Sequence, residues 1–371
     1  MIKTGLDNIA AADALLKGAR IGLMTNPTGA DRNLRPAIDI VGERYHLTAL
    51  FACEHGVRGC APAGEHVSSF TDEKTGIPVY SCFGASTHLS ADMLDSFDVF
   101  LYDIQDAGAR FYTFIYSLSD AMQDCARAGK PVVVLDRPNP LGGETVQGTL
   151  LDEEFSSFVG RYAMPTRYGL TVGEYALWVK NHLKLDLELH IITMSGWKRS
   201  MHYADTELVF VPPSPNLSTL HATGVYPGTC IFEGTNISEG RGTTLPFELI
   251  GAPYVDAEKL AKRMNALHLS GFLFREAYFT PWSSKYANEQ CAGVQIYMTD
   301  PRKADAPRMG FLLLDEMRAQ CGEKVILTQF FDRLTGSKDY RSGLCDGQTL
   351  IEASRESILA WQQLSRQFYL Y

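Results

Sequence analysis

The sequence has no long apolar run, no basic tract and no cysteine pair at C-x-x-C spacing. No window approaches the roughly 18 apolar residues of a membrane-crossing helix, so no membrane partner is expected. The opening MIKTGLDNIAAADALLKGARIGL lacks the apolar stretch of a secretory leader, and the cytoplasm is the expected location. The eight cysteines (53, 60, 82, 125, 230, 291, 321 and 345) are scattered and read as reduced thiols, several of them serving as small apolar residues. Lysine and arginine are too few, at 34 against 43 acidic residues, to offset a net charge of -9. Such a surface repels phosphate backbones, which argues against nucleic acid as a partner but leaves room for a small anionic substrate held by local arginines. Also absent are G-x-G-x-x-G after the first strand, G-x-x-x-x-G-K-[ST], G-x-S-x-G and H-E-x-x-H. Dinucleotide enzymes, P-loop NTPases, α/β-hydrolases and zincins are therefore disfavoured.

What remains is an ordinary globular composition, 45% hydrophobic and 21% charged over 371 residues, enough for two or three domains. Short apolar runs at 20–25, 47–52, 79–83, 98–104 and 131–135 read as strands buried between helix layers. Between the last two, Phe114, Ile115, Leu118, Met122 and Cys125 follow helical spacing, and Gly129 stands where a helix stop belongs. Strand, helix, strand with a right-handed crossover predicts a parallel sheet. Thr171-Val172-Gly173-Glu174 has capping-box spacing ahead of a helix through Trp178 and Leu183, and 187–194 reads as a further strand. Residues 211–253 are rich in Gly, Pro, Ser, Thr and Asn with little periodicity, the mark of a functional loop or of misread elements. After Asp256, a helix at 257–267, strands near 272–274 and 293–298, and helices near 309–319 and 354–368 are expected. The fold class is α/β. A Rossmann-like, doubly wound, mostly parallel sheet domain covers 1–253 (sheet core 1–150, loop-rich part 151–253), and a smaller α/β domain covers 254–371.

Parallel sheets bind ligands at the carboxyl ends of their strands. Here those ends carry Asn26, then Glu54-His55, then Asp103, Gln105 and Asp106, then Asp136, Arg137 and Asn139. One acidic residue after a strand usually caps a helix; four polar strand ends together point to a site. Glu54 is either a loop carboxylate paired with Arg58 or a general acid beside Phe51 and Ala52, where desolvation raises a pKa. Asp106 and Arg110 fit a helix cap and an ion pair at least as well as catalysis, and Asp136-Arg137 fits an ion pair or a carboxylate-binding fork. The glycine-punctuated segment with Glu233, Asn236, Glu239 and Arg241 is suited to wrapping a polar ligand or to forming a structural Ω-loop. Paired carboxylates near a polar cleft suit glycoside chemistry.

FACEHGVRG, DIQDAGARFYTF, VVVLDRPNPLGG, SPN at 214–216, YPGTCIFEGTNISEGRGTTLPFE and GAP at 251–253 occur in this order. Together they closely resemble the exo-acting β-N-acetylmuramidases of peptidoglycan recycling, over nearly the whole chain. That resemblance implies a Rossmann-like domain joined to a smaller α/β domain with the cleft between them. It also implies release of terminal N-acetylmuramic acid from the non-reducing end of small glycan fragments, without cofactor or metal. The glutamate of the family's E-H-G motif falls on Glu54; where the family usually has proline just before it, this chain has Cys53. In the expected mechanism Glu54 protonates the glycosidic oxygen. Asp103, Asp136, Glu239 or the substrate's own acetamido oxygen supports the oxocarbenium-like transition state. Arg137, Arg110 or Arg241 holds the lactyl carboxylate, with Asn26, His55, Gln105, Asn139, Glu233 and Asn236 as further binding candidates. The competing readings are a non-catalytic sugar-binding protein of the same fold and a metal-dependent hydrolase using His55, Asp103 and Asp106.

Overall fold

The computed structural model describes residues 1–54, 56–59, 69–84 and 86–371. Twelve strands are assigned among them: β1 (Arg20–Thr25), β2 (His46–Ala52), β3 (Phe70–Thr71), β4 (Pro78–Ser81), β5 (Val99–Asp103), β6 (Val132–Leu135), β7 (Gln147–Leu150), β8 (Pro165–Arg167), β9 (Leu189–Ile192), β10 (Leu249–Ala252), β11 (Phe272–Phe279) and β12 (Cys291–Met298). The helices are α1 (Asp13–Leu16), α2 (Ala37–Arg44), α3 (Ala91–Asp95), α4 (Phe114–Arg127), α5 (Val172–His182), α6 (Leu220–Thr229), α7 (Ala257–Ala266), α8 (Ala306–Cys321), α9 (Gln329–Thr335), α10 (Gly347–Ala353) and α11 (Arg355–Ser365).

The continuous apolar runs do form the central strands, because only a strand buried on both faces leaves no polar side to the pattern. They make a seven-stranded sheet in the order β3-β4-β2-β1-β5-β6-β9, parallel except for β3. The order turns around between β1 and β5, the topological switch point of a doubly wound sheet. One face packs Phe51, Phe100, Tyr102 and Val134 against α4 and α5. The other packs Ile21, Leu23, Leu50 and Leu101 against Ile38 and Val41 of α2. The α4 helix stops as expected, with Gly129 in the left-handed region at φ 64°. The Thr171–Glu174 capping box is formed in both directions.

One sheet and one buried cluster run across the expected break at 253/254. Strand β10 is an edge of a three-stranded antiparallel sheet, β10-β12-β11. Val225, Ile231, Phe232 and Ile237 belong to the same buried cluster as Ile250, Val294 and Leu313. Of the two readings of 211–253, a functional loop or misread elements, the second describes it, since it contains α6 and β10. Its helix hides its period for a packing reason. Gly228 of α6 and Gly310 of α8 meet backbone to backbone, and a Cβ on either would collide with the other helix. Small residues thus replace the apolar stripe, and Pro227 adds a residue that normally argues against a helix. The chain finally returns to the first layer, where Trp361 and Phe368 join the main core.

Candidate active site

Strand β2 delivers Glu54 to the carboxyl edge of the sheet, half-buried, just beyond the buried Phe51, Ala52 and Cys53. Thr113, at the start of α4, donates its hydroxyl to Glu54 Oε2 at 2.9 Å and orients the carboxyl group. Both line a cavity of about 210 Å³. Phe83, Phe111, Tyr112, Phe158 and Val159 form its wall on the sheet side, with Ser214 and Leu217 beside them. Tyr226, Cys230, Glu233, Arg241, Phe247 and Leu334 close it from the other layer. The aromatic wall is braced edge to face: Phe111 meets Tyr226 at 5.8 Å, and Tyr226 meets Phe247 at 4.8 Å between ring centres.

From the other layer, the one-turn helix Cys230–Gly234 presents Glu233 to the same cavity. Arg241 donates to its Oε1 from Nη2 at 2.5 Å and from Nε at 3.2 Å, and its guanidinium lies 5.2 Å from the Phe247 ring centre. Burial raises the Glu233 pKa, and Arg241 opposes that shift only in part. For Arg241, burial works against the charge, but Glu233 and Glu239 outweigh it and the cation is stabilised. Glu239 does not line the cavity. It is buried beside it, accepting from Lys285 Nζ at 2.8 Å and approaching Arg241 Nε at 3.4 Å.

The other strand ends serve the scaffold. Asp103 is fully buried and held by Arg137 through two bonds, Nε at 2.6 Å and Nη2 at 2.7 Å. Asp136 accepts from the Thr171 hydroxyl, the Gly173 and Arg137 amides and the Tyr371 hydroxyl. Neither aspartate lines the cavity with Glu54, so the two-carboxylate site expected from Glu54 with Asp103 or Asp136 is not the arrangement found. Both are spent neutralising or capping groups that burial would otherwise leave unsatisfied. Arg110 is buried and donates to the carbonyls of Thr149, Met164 and Leu334, which ties the two layers together; burial pushes its pKa down to about 10.

Asn26 caps its own turn at Thr28, and Gln105 donates to the Asp106 and Pro138 carbonyls. Asn139 bridges Leu141 and Leu170, and Asn236 is bound by Ile326, Lys324 and Tyr254. Asp106 is taken by Tyr168 and the Gly108 amide. His55 lies outside the described residues. Among the described residues no three His, Cys, Asp or Glu converge as metal ligands would.

Of the expected residues, Glu54, Glu233 and Arg241 share the cavity. Thr113 and the aromatic wall escaped the sequence reading, although Phe111-Tyr112-Thr113 stands directly ahead of a helix start in one of the resembling motifs. Lys285 gave no signal, being a single lysine in an irregular stretch.

The family model for the exo-beta-N-acetylmuramidase NamZ N-terminal region matches residues 21–221, and that for its C-terminal region matches 224–371. The chain is similar to the peptidoglycan beta-N-acetylmuramidase NamZ of Bacillus subtilis (strain 168), with 43% identity over all of this chain and 91% of that protein. Two crystal structures of DUF1343 family proteins from Bacteroides fragilis NCTC 9343 share the fold. One has TM-score 0.91 and 36% identity, the other 0.78 and 28%, and each comparison covers 100% of this chain and 99% of the other.

Proposed function

The chain belongs to the exo-β-N-acetylmuramidase family, and from that membership we infer that it is a glycosidase releasing N-acetylmuramic acid from the non-reducing end of peptidoglycan fragments. The observation that carries the reading to particular residues is the shared cavity: Glu54 from the sheet edge and the Glu233–Arg241 pair from the other layer line one space. At about 210 Å³ it is below the roughly 300–1,000 Å³ of clefts that enclose drug-sized ligands, which suits one terminal sugar ring.

In this reading Glu54, oriented by Thr113, protonates the glycosidic oxygen as the bond to C1 breaks. Of the three arginines considered, Arg241 is the one on the cavity and binds the lactyl carboxylate. With Asp103 and Asp136 engaged elsewhere, the substrate's acetamido oxygen supports the oxocarbenium-like transition state, and Glu233 accepts the acetamide N–H. The seven described cysteines are unpaired thiols, which supports placing the enzyme in a reducing, cytoplasmic compartment. No described helix is long and apolar enough to cross a membrane.

Incubation with a muramic-acid-terminated disaccharide tests the reading. Free N-acetylmuramic acid is the expected product, and binding without turnover would favour a sugar-binding protein instead.

A further inference from the structure

A cavity that suits one sugar ring leaves the rest of the glycan to be accounted for. Immediately across the segment that carries Arg241 lies an open groove of about 810 Å³, whose near wall begins at Gly242 and Thr243. Arg275 of β11 lines it, exposed, and donates from Nη2 to Oε1 of the buried Gln295 at 2.6 Å. Tyr278 and Trp282 stand over it, 61% and 75% exposed.

The loop bearing Trp282 is fastened at two points to the segment that carries Arg241. The Trp282 amide donates to the Gly242 carbonyl at 2.8 Å, and Lys285 Nζ reaches Glu239. Three of its residues, Ser284, Tyr286 and Asn288, hold left-handed backbone conformations that cost energy in non-glycine residues. A strained loop that keeps a large aromatic ring in water, beside planar hydrogen-bonding groups, has the chemistry of a sugar subsite. The ring offers a flat apolar surface to axial C–H bonds, and the exposed Arg275 guanidinium offers further N–H donors to hydroxyls.

We propose that this groove binds the leaving-group side of the glycan, with Trp282 as its stacking platform. The inference rests on the glycosidase reading. Trp282→Ala lowers kcat/KM on a muramic-acid-terminated disaccharide about tenfold more than on the methyl glycoside of N-acetylmuramic acid, which has no second sugar to stack. The other three tryptophans are buried, so Trp282 also reports directly. In Glu54→Gln, adding the disaccharide moves tryptophan emission to shorter wavelength, and the added change Trp282→Phe abolishes that shift. Equal losses on the two substrates, or unchanged emission while calorimetry records saturation, overturn the subsite. Failure of the glycosidase reading is distinct: the wild-type protein then releases no muramic acid from the disaccharide.

Discussion

Glu54 differs from the other strand-end carboxylates in what holds it. Asp103 and Asp136 are enclosed and matched by an arginine or by several donors, whereas Glu54 is half-buried at a cavity wall with a threonine hydroxyl on one oxygen. A group that must lose and regain a proton at a substrate needs such access. Glu54→Gln is expected to cut turnover of the natural disaccharide by roughly a hundredfold or more while leaving binding nearly intact. A nitrophenyl leaving group, which needs less protonation, should shrink the loss; steady-state kinetics on both substrates checks this. Arg241 and Arg137 should separate just as cleanly. Arg241→Ala should narrow the preference for muramic acid over N-acetylglucosamine, which a charged hydrogen bond sets at about tenfold or more. Arg137→Ala should instead destabilise the fold by about 3–5 kcal/mol, because it strands the buried Asp103; denaturant unfolding and rates on the two sugars distinguish them. Sequence located these polar groups at the sheet edge but could not rank them. An ion pair that closes a crevice and a pair that lines a cavity use the same residue types, and only packing separates them.

At the level of elements, legibility followed how each segment is buried. Strands covered on both faces and the α4 helix with one apolar stripe declare themselves; α6 does not, because two glycines at a helix crossing replace that stripe. The connection after β5 has a measurable pH signature. Burial lifts Asp106 to about 6, against hydrogen bonds from Tyr168 and Gly108 that favour the anion. In the unfolded chain aspartate titrates near ~3.9, so between these values the folded state holds the proton more tightly. The stability this lends is complete below about pH 4 and is lost as pH rises through 6. Asp106→Asn removes the titration. Its unfolding free energy relative to wild type should therefore improve between pH 4 and pH 7, by up to about 3 kcal/mol. Denaturant unfolding at both pH values checks it, and a constant difference would contradict the assignment.

At the scale of the molecule, the two family regions are not independent bodies. Tyr226, Phe247, Leu334, Trp361 and Phe368 come from the second region yet sit in the main core of the first. Trp361 packs on Trp178 and donates its indole N–H to the Tyr168 carbonyl at 3.0 Å. Trp361→Ala should cost about 3–5 kcal/mol, as other large buried aromatics do. A fragment ending at residue 221 should fail to give a cooperative thermal transition, even though it contains the whole parallel sheet. Calorimetry on both proteins checks these expectations. The return of the chain to its first layer was beyond reach from sequence, since the apolar residues of α11 say that a partner exists without saying which.

The switch point between β1 and β5 is where a doubly wound sheet ordinarily receives its ligand. Here Arg137 and Asp103 already occupy that edge, and Gly29 is packed so closely over it that a Cβ would strike the Thr25 hydroxyl and the Asp103 carbonyl. The socket in which related topologies seat a nucleotide has become masonry, and the cavity proposed for the substrate lies further out, at the end of β2. An enzyme built this way should be indifferent to added nucleotides. Millimolar NAD or ATP should leave its rate on the disaccharide unchanged, so that hydrolysis follows the supply of wall fragments alone.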